Sequence, residues 1–397
     1  MPSTDNTLPI PNILTLHSLF SSNPPLRPSL RPLTEPRDLK ISIINKDNGN
    51  IEIKLGETYV SCKISAIITK PFEDRQFEGI FNINTEITPM CSPLFSNGGG
   101  NDFSTSAPAI IPKTVISVEE GSEDNGTDVI MGGGAMMGLG VDQTSIEIML
   151  SRLIEKAVRR SNALDLESLC IIAGQKCWSI RADIKFLNYD GNLIDAGNLA
   201  VIIALLNFKK NDIEIIGNGE GSELVIFDEN QREKVGLSVL HIPLSVTFQF
   251  FSTESIERNI KGEKGVISRK IKEDSDDEDD VNDRMEVDND NDEEGEIESE
   301  SRSSNEIIIV DATSEEELLS QGSMTITLNS NKEVCQISKS GGLNIEQGKI
   351  LECCTIASKI VDKWTKQIKQ VLIDEEIKNR DLKVEKELSV VNDRKTS

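Results

Sequence analysis

The sequence predicts an α+β chain, and three observations carry that prediction. Trp178, Ile180, Ala182, Ile184 and Phe186 alternate with Ser179, Arg181, Asp183 and Lys185, the period of two of a half-buried strand. A turn at Asp190-Gly191 follows, and Ile194 to Leu206 then runs apolar on most sides, long enough for a buried helix. Near the C-terminus Ile350, Ala357, Val361, Trp364, Ile368 and Val371 recur at helical spacing, a stripe that needs a sheet or a partner to pack on.

Taken in order, residues 1–30 are rich in Pro and Ser and read as a loosely held arm. Leu39–Ile44 and Ile51–Leu55 are strand-like and are separated by Lys46 to Asn50, a hairpin turn signal. Tyr59–Ile68 and Phe77–Thr88 continue as strands. Residues 96–144 hold Gly98 to Gly100 and a second glycine run from Met131 to Gly140. They lack the terminal Gly-Lys-Ser/Thr of a phosphate loop and no strand feeds them, so a flexible insertion is expected.

A helix begins near Ser145, with Ile146, Met149, Leu153 and Ala157 on one face and Lys156, Arg159 and Arg160 towards its end, where cations favour the helix dipole. Strands are expected at Ser168–Ala173, Trp178–Leu187, Glu223–Phe227 and Leu244–Phe251. The acidic stretch 262–304 has almost no apolar content and repels itself, which predicts disorder. Order resumes with Glu306–Val310, then a hairpin of Met324–Leu328 and Val334–Ser338, then the long helix. A charged tail over 374–397 should fray. The folded core is thus expected in two parts, 31–255 and 305–373.

The chain has 397 residues and a formal charge of −25. Glu273 to Glu300 alone holds seventeen acidic residues and one basic one, so only about nine of those charges fall elsewhere. The global balance therefore does not exclude nucleic acid, which local basic patches decide. Seven cysteines (62, 91, 170, 177, 335, 353 and 354) form no C-x-x-C pair and read as small core residues of a reducing compartment. No signal peptide is supported at the N-terminus, and Leu199 to Leu206, the longest wholly apolar run, is too short to cross a bilayer.

A strand, a glycine turn and a helix start make a ready anion site, because free N–H groups of the first helical turn point at a ligand there. Here the turn carries Leu193, Ile194 and Asp195 where phosphate chemistry would want Arg, Lys or Thr. The frame is present and its charges are missing.

Further motifs occur in a recognisable order. Gly56-Glu-Thr-Tyr-Val60 leads to Pro71, Arg75-Gln-Phe-Glu-Gly79 and Glu86-Ile-Thr-Pro-Met90; Leu164 to Gly174, the Trp178 strand and Asp190-Gly191 follow. Leu240 to Val246 and Ser338 to Leu343 complete the set. Together they resemble the RNase PH-like ring subunits of the eukaryotic RNA exosome, over roughly 30–95, 145–255 and 305–372. The resemblance implies two βαβ-type lobes of the ribosomal protein S5 domain 2-like kind. It also implies a six-subunit ring of three heterodimers, with RNase PH-like partners, cap proteins and RNA in a central channel. Cytoplasm, nucleus and nucleolus are the implied compartments, and rRNA maturation and mRNA turnover the implied processes.

Phosphorolytic members place Gly-Thr-Arg-Thr after the Asp-Gly turn to hold inorganic phosphate. The matching positions here are Asn192, Leu193, Ile194 and Asp195; two cannot donate to phosphate and the last would repel it. The late-strand Asp proposed as general acid in those members is matched by His241, which titrates in a usable range but has no nucleophile to assist. No catalytic residue, cofactor or metal is therefore expected. Asp183 and Asp190 read as an exposed strand residue and a turn former rather than an acid–base pair. Cys353-Cys354 lacks further soft ligands nearby.

Arg75, Lys156, Arg159 and Arg160 are the candidate RNA-contacting residues, weighed against solvated or interface charges. Three readings follow. The first is a non-catalytic ring subunit that threads RNA. The second is a phosphorolytic 3′→5′ exoribonuclease, with the variant that this chain lends basic residues to a neighbour's RNA site. The third is an adaptor whose acidic block holds basic partners.

Overall fold

The computed structural model describes residues 15, 18–20, 22, 25–45, 49–92, 143–216, 223–227, 231–252, 306–341 and 344–389. The glycine-rich stretch, the acidic block, residues 46–48 of the first hairpin turn and the last eight residues lie outside the described residues.

Fourteen strands and four helices are named here in chain order. Strands β1 (Leu39–Asn45), β2 (Asn50–Leu55), β3 (Thr58–Thr69) and β4 (Ile80–Ile87) precede helix α1 (Gln143–Val158). Then come β5 (Cys170–Ile172), β6 (Lys176–Asn188) and helix α2 (Leu193–Asn207). The short strands β7 (Lys209–Lys210), β8 (Ile213–Ile216), β9 (Glu223–Ile226) and β10 (Val235–Gly236) lead to β11 (Leu244–Ser252). The chain closes with β12 (Glu306–Val310), α3 (Ser314–Leu319), β13 (Gly322–Leu328), β14 (Val334–Gly341) and α4 (Gln347–Ser389).

The first sheet runs β1-β2-β3-β6-β4, with β5 on β6. Its pairs are antiparallel except β4 with β6, which are parallel and joined across α1, so this half contains a βαβ unit. The second sheet runs β12-β11-β13-β14. Both β12 and β13 are antiparallel to β11, hence parallel to one another, with α3 as the crossover. Two βαβ-type lobes result, as the family resemblance implies.

Helices α1, α2 and α4 fill the space between the sheets: α2 touches β2, β3 and β6 on one side and β11 on the other, and α4 touches β1, β11 and β13. This explains why α2 is apolar all round. Leu199 to Leu205 are buried on every face because both sheets cover them. On the first sheet the alternation from Trp178 to Phe186 points one face at the helices and leaves Arg181 and Lys185 in solvent.

Several expectations need correction. The buried stripe of α1 is Ile146, Leu150, Ile154, Ala157 and Val158, whereas Met149 is exposed and Leu153 half-buried. Both stripes satisfy helical periodicity, and packing against β4 and α2 selects one. Phe77 belongs to a loop, and the strand begins at Ile80. The segment expected to be a loose arm is tied down in its second half. Phe20 lies 5.1 Å ring to ring from Phe251, and Arg27 is fully buried. The charged stretch after Asp374 does not fray there but continues α4 to Ser389. Leu372 is the last α4 residue packed on the core among the described side chains, and roughly 25 Å of helix follows it. No helix among the described residues is long and apolar enough to cross a membrane.

Candidate functional site

The turn between β6 and α2 is built from conformations that few residues adopt. Gly191 sits at φ +81°, and a Cβ there would lie 2.4 Å from the Ala312 carbonyl oxygen, so only glycine fits. Asn192 also takes the left-handed conformation, at φ +58°, before α2 begins. Such a turn exposes backbone N–H groups at a helix start, and the structure shows what they face.

The chain itself engages Asn192, which precedes α2, and Asp195 in its first turn. Asn192 N–H donates to Glu317 Oε1 at 2.8 Å, and the other oxygen of Glu317 accepts from the Tyr189 hydroxyl at 2.7 Å. Asn192 Nδ2 donates to Asp311 Oδ1 at 2.7 Å and to Asp195 Oδ2 at 2.8 Å. Asp195 in turn accepts from Thr247 N–H at 2.8 Å and Thr247 Oγ1 at 2.9 Å. Thus Asp195, expected to repel an incoming phosphate, is instead a buried acceptor that fastens α2 to β11.

Leu193 and Asn192 are buried and Ile194 half-buried. Of the four positions that the resemblance matches to a phosphate loop, Asn192, Leu193 and Asp195 are buried.

Arg37 closes the turn from the N-terminal side. Its guanidinium bridges Asp311 and the Asp190 carboxylate, and it donates to the backbone carbonyls of Asp190 and Gly191. Thr58 Oγ1 adds a bond to the Gly191 carbonyl at 2.7 Å. A second pair lies deeper: Arg27 binds Glu316 and the carbonyls of Val310 and Asp311, with both side chains buried. Glu316 also accepts from Thr313 N–H at 2.9 Å, closing a capping box at the start of α3.

Burial sets the protonation of this cluster, opposed by its hydrogen bonds. Burial pushes both Asp195 and Glu317 up to about 7, against the bonds each receives. Asp311 is buried too, yet the Arg37 guanidinium holds its carboxyl below the usual value. Arg37 is correspondingly held above its own ordinary value; burial opposes this, and the bond and charge of Asp311 outweigh it.

The other candidates separate into three places. Arg75 and Arg159, far apart in sequence, line one cleft of about 450 Å³ with Glu78, Asn162, Asp165 and Leu240. Arg75 pairs with Glu78 at 3.3 Å and Arg159 with Glu155 at 2.9 Å, both at the surface. Lys156 and Arg160 are exposed at the end of α1 and do not line that cleft.

His241 is half-buried just before β11, its Nε2 3.8 Å from Cys335 Sγ, and burial lowers its pKa. Asp183 lies on the open face of the first sheet against Arg181 and Asn84, while Asp190 sits in the turn against Arg37. Cys353 is buried and Cys354 half-buried in α4.

Sequence reasoning missed Arg27, Arg37, Asp311, Glu316 and Glu317. One signal was legible: Thr313 to Glu316 has the spacing of a capping box directly after an apolar run.

Comparison with known proteins agrees with this architecture. The model of the 3′ exoribonuclease family, domain 1, matches residues 35–120 and 137–211, and that of domain 2 matches residues 301–360. Exosome complex component RRP45 of Saccharomyces cerevisiae is 37% identical over 342 residues, covering 86% of this chain and 84% of the relative. Its Schizosaccharomyces pombe counterpart is 36% identical over 356 residues, covering 90% and 88%, and the Arabidopsis thaliana RRP45A is 27% identical over 347 residues, covering 87% and 82%. Among solved structures, the Archaeoglobus fulgidus exosome with RNA bound to the active site aligns with TM-score 0.54 at 22% identity, over 90% of this chain and 97% of that one. At that identity the last match speaks for the fold.

Proposed function

The chain belongs to the 3′ exoribonuclease family, and from that premise we propose that it is a non-catalytic ring subunit of the RNA exosome. In this reading it pairs with RNase PH-like neighbours and cap proteins and helps form the channel that threads RNA to a nuclease. It thereby supports 3′→5′ processing and decay, including rRNA maturation and mRNA turnover, in cytoplasm, nucleus and nucleolus.

One observation supports the non-catalytic half: Asn192 N–H is engaged by Glu317 and Leu193 is packed in the core, which speaks against phosphate binding at the start of α2. The ring half rests on relatives named as exosome components along nearly the whole chain.

Arg75 and Arg159, which share a cleft, are the RNA phosphate contacts this reading favours, with Lys156 and Arg160 beside them. Their carboxylate partners are exposed and hold them weakly, so RNA phosphates can replace those partners.

Co-expression with candidate RNase PH-like subunits, followed by the mass of the purified assembly, tests the ring reading. A defined hetero-oligomer is expected, and a chain that stays alone with every partner would sink it. Phosphate-dependent release of nucleoside diphosphates by that assembly, abolished by changes in this chain, would instead support a phosphorolytic enzyme.

A further inference from the structure

The loop between β3 and β4 presents two phenylalanines to solvent. Phe72 is 57% and Phe77 70% exposed, on either side of the exposed Arg75. Their backbone is nonetheless fixed. Two consecutive turns close through Arg75 N–H donating to the Phe72 carbonyl at 3.0 Å and Glu78 N–H donating to the Arg75 carbonyl at 3.4 Å. Behind them, Gly174 N–H donates to the Gln76 carbonyl at 3.0 Å and Gly79 N–H to the Leu166 carbonyl at 2.8 Å. Gly79 sits so close to its support that a Cβ would lie 2.3 Å from Leu169 Cβ. The loop is therefore pinned from behind by the β5–β6 hairpin and the segment preceding it.

Phe72 lines a small cleft with Arg75, Arg159 and Asn82, next to the cleft that Arg75 and Arg159 share with Asn162 and Leu240. An aromatic face at Phe72 beside two guanidinium groups, with a second exposed ring at Phe77 on the same loop, matches the chemistry of single-stranded nucleic acid: bases stack on rings while phosphates meet the cations. Charge supplies only part of such a site, because each arginine must first exchange its carboxylate, Glu78 or Glu155, for phosphate. The two rings, already in solvent, are open to a ligand as they stand.

We propose that Phe72 and Phe77 are stacking platforms for the bases of single-stranded RNA, flanking phosphate contacts made by Arg75 and Arg159. The proposal rests on the reading of the chain as an RNA-threading subunit and adds what the site recognises: unpaired bases of any sequence. A protein subunit covering the same two rings is the competing occupant.

The test uses the purified complex containing this chain and a fluorescein-labelled single-stranded oligoadenylate, titrated across a salt series. F72A/F77A should weaken binding by roughly ten- to a hundredfold through loss of stacking, with the salt slope unchanged. R75Q/R159Q should instead flatten the slope. F72W/F77W should retain the affinity, and the introduced indole fluorescence should be quenched on adding RNA. Blunt duplex RNA, which offers no free base faces, should bind wild type and F72A/F77A alike.

Unchanged oligoadenylate affinity in F72A/F77A overturns the proposal. So does loss of a neighbouring subunit from that variant's complex, which would give the rings to protein. A wild-type complex that binds no oligoadenylate at all removes the RNA-threading reading itself, and is thereby distinguished from failure of the stacking claim alone.

Discussion

Arg37 and Asp311 form a forked ion pair in which Nε donates to Oδ2 at 3.0 Å and Nη2 to Oδ1 at 2.8 Å. The backbone N–H of Arg37 adds a third bond to Oδ2 at 2.7 Å. The pair joins the segment before β1 to the end of β12, and through Asp190 it also grips the turn before α2. Replacing Arg37 by Met leaves Asp311 buried without its main countercharge. A loss of about 3 kcal/mol or more is expected on the scale of broken buried pairs, read as a lower denaturation midpoint. Arg37→Lys should recover little, since an ammonium cannot reach both carboxylates and two carbonyls at once.

Gly191→Ala places a methyl group against the Ala312 carbonyl and holds alanine at φ +81°. Both terms disfavour the folded turn, and a destabilisation of about 2 kcal/mol or more is expected in urea titrations.

The pH response should run against the usual carboxylate sense. Asp195 and Glu317 have folded values near 7, above ordinary values of 3.8 and 4.5. Each binds its proton more tightly folded than unfolded, so its contribution is complete below the ordinary value and is lost as pH rises towards and through 7. Asp311, held low, works the other way: its contribution is present above 3.8 and lost as pH falls below it. Between about pH 4.5 and 7 thermal stability should therefore decline with rising pH. E317Q and D195N should each flatten that decline, and melting curves across the window would reveal a failure to do so.

Installing Thr at Leu193 and Arg at Ile194 should not create a phosphorolytic enzyme. Leu193 is buried, and the neighbouring backbone donor is committed to Glu317. The double variant should lose about 2–4 kcal/mol of stability from a disturbed core and release no nucleoside diphosphate from RNA when phosphate is added.

Truncation after Asp374 should leave the unfolding midpoint of the body unchanged within about 0.5 kcal/mol. The removed part of α4 exposes Ile377, Leu382, Val384 and Leu388, and among its described side chains none joins the hydrophobic core. A large drop in the midpoint would show that the extension braces the body.

What could be read from the sequence followed from short-range pattern. The alternation of β6, the all-round apolar character of α2 and the stripe of α4 each announce how many faces are covered, and all three appear as expected. The first turn of α2 was legible as a poor phosphate site, because apolar residues stand where donors are needed. That the Asn192 N–H before it is engaged internally was not legible, since Glu317 lies 125 residues from Asn192 and only the fold brings them together. The α1 stripe failed for a related reason: two apolar faces were compatible with the period, and the neighbours that choose between them are distant in sequence. Arg75 and Arg159 were picked out singly, and their meeting at one cleft is a tertiary fact.

The Arg37 clasp also orders events during synthesis. Arg37 leaves the ribosome early, whereas Asp311, Glu316 and Glu317 emerge some 270 residues later. Until then the turn at Asp190-Gly191 has only its bonds to Arg37 and Thr58, without those to Asp311 and Glu317, and Arg27 lacks its Glu316 carboxylate. Domains generally mature from the N-terminus as the chain appears. This one is completed from its last quarter, where the carboxylate partners of Arg27 and Arg37 at Glu316 and Asp311 lie.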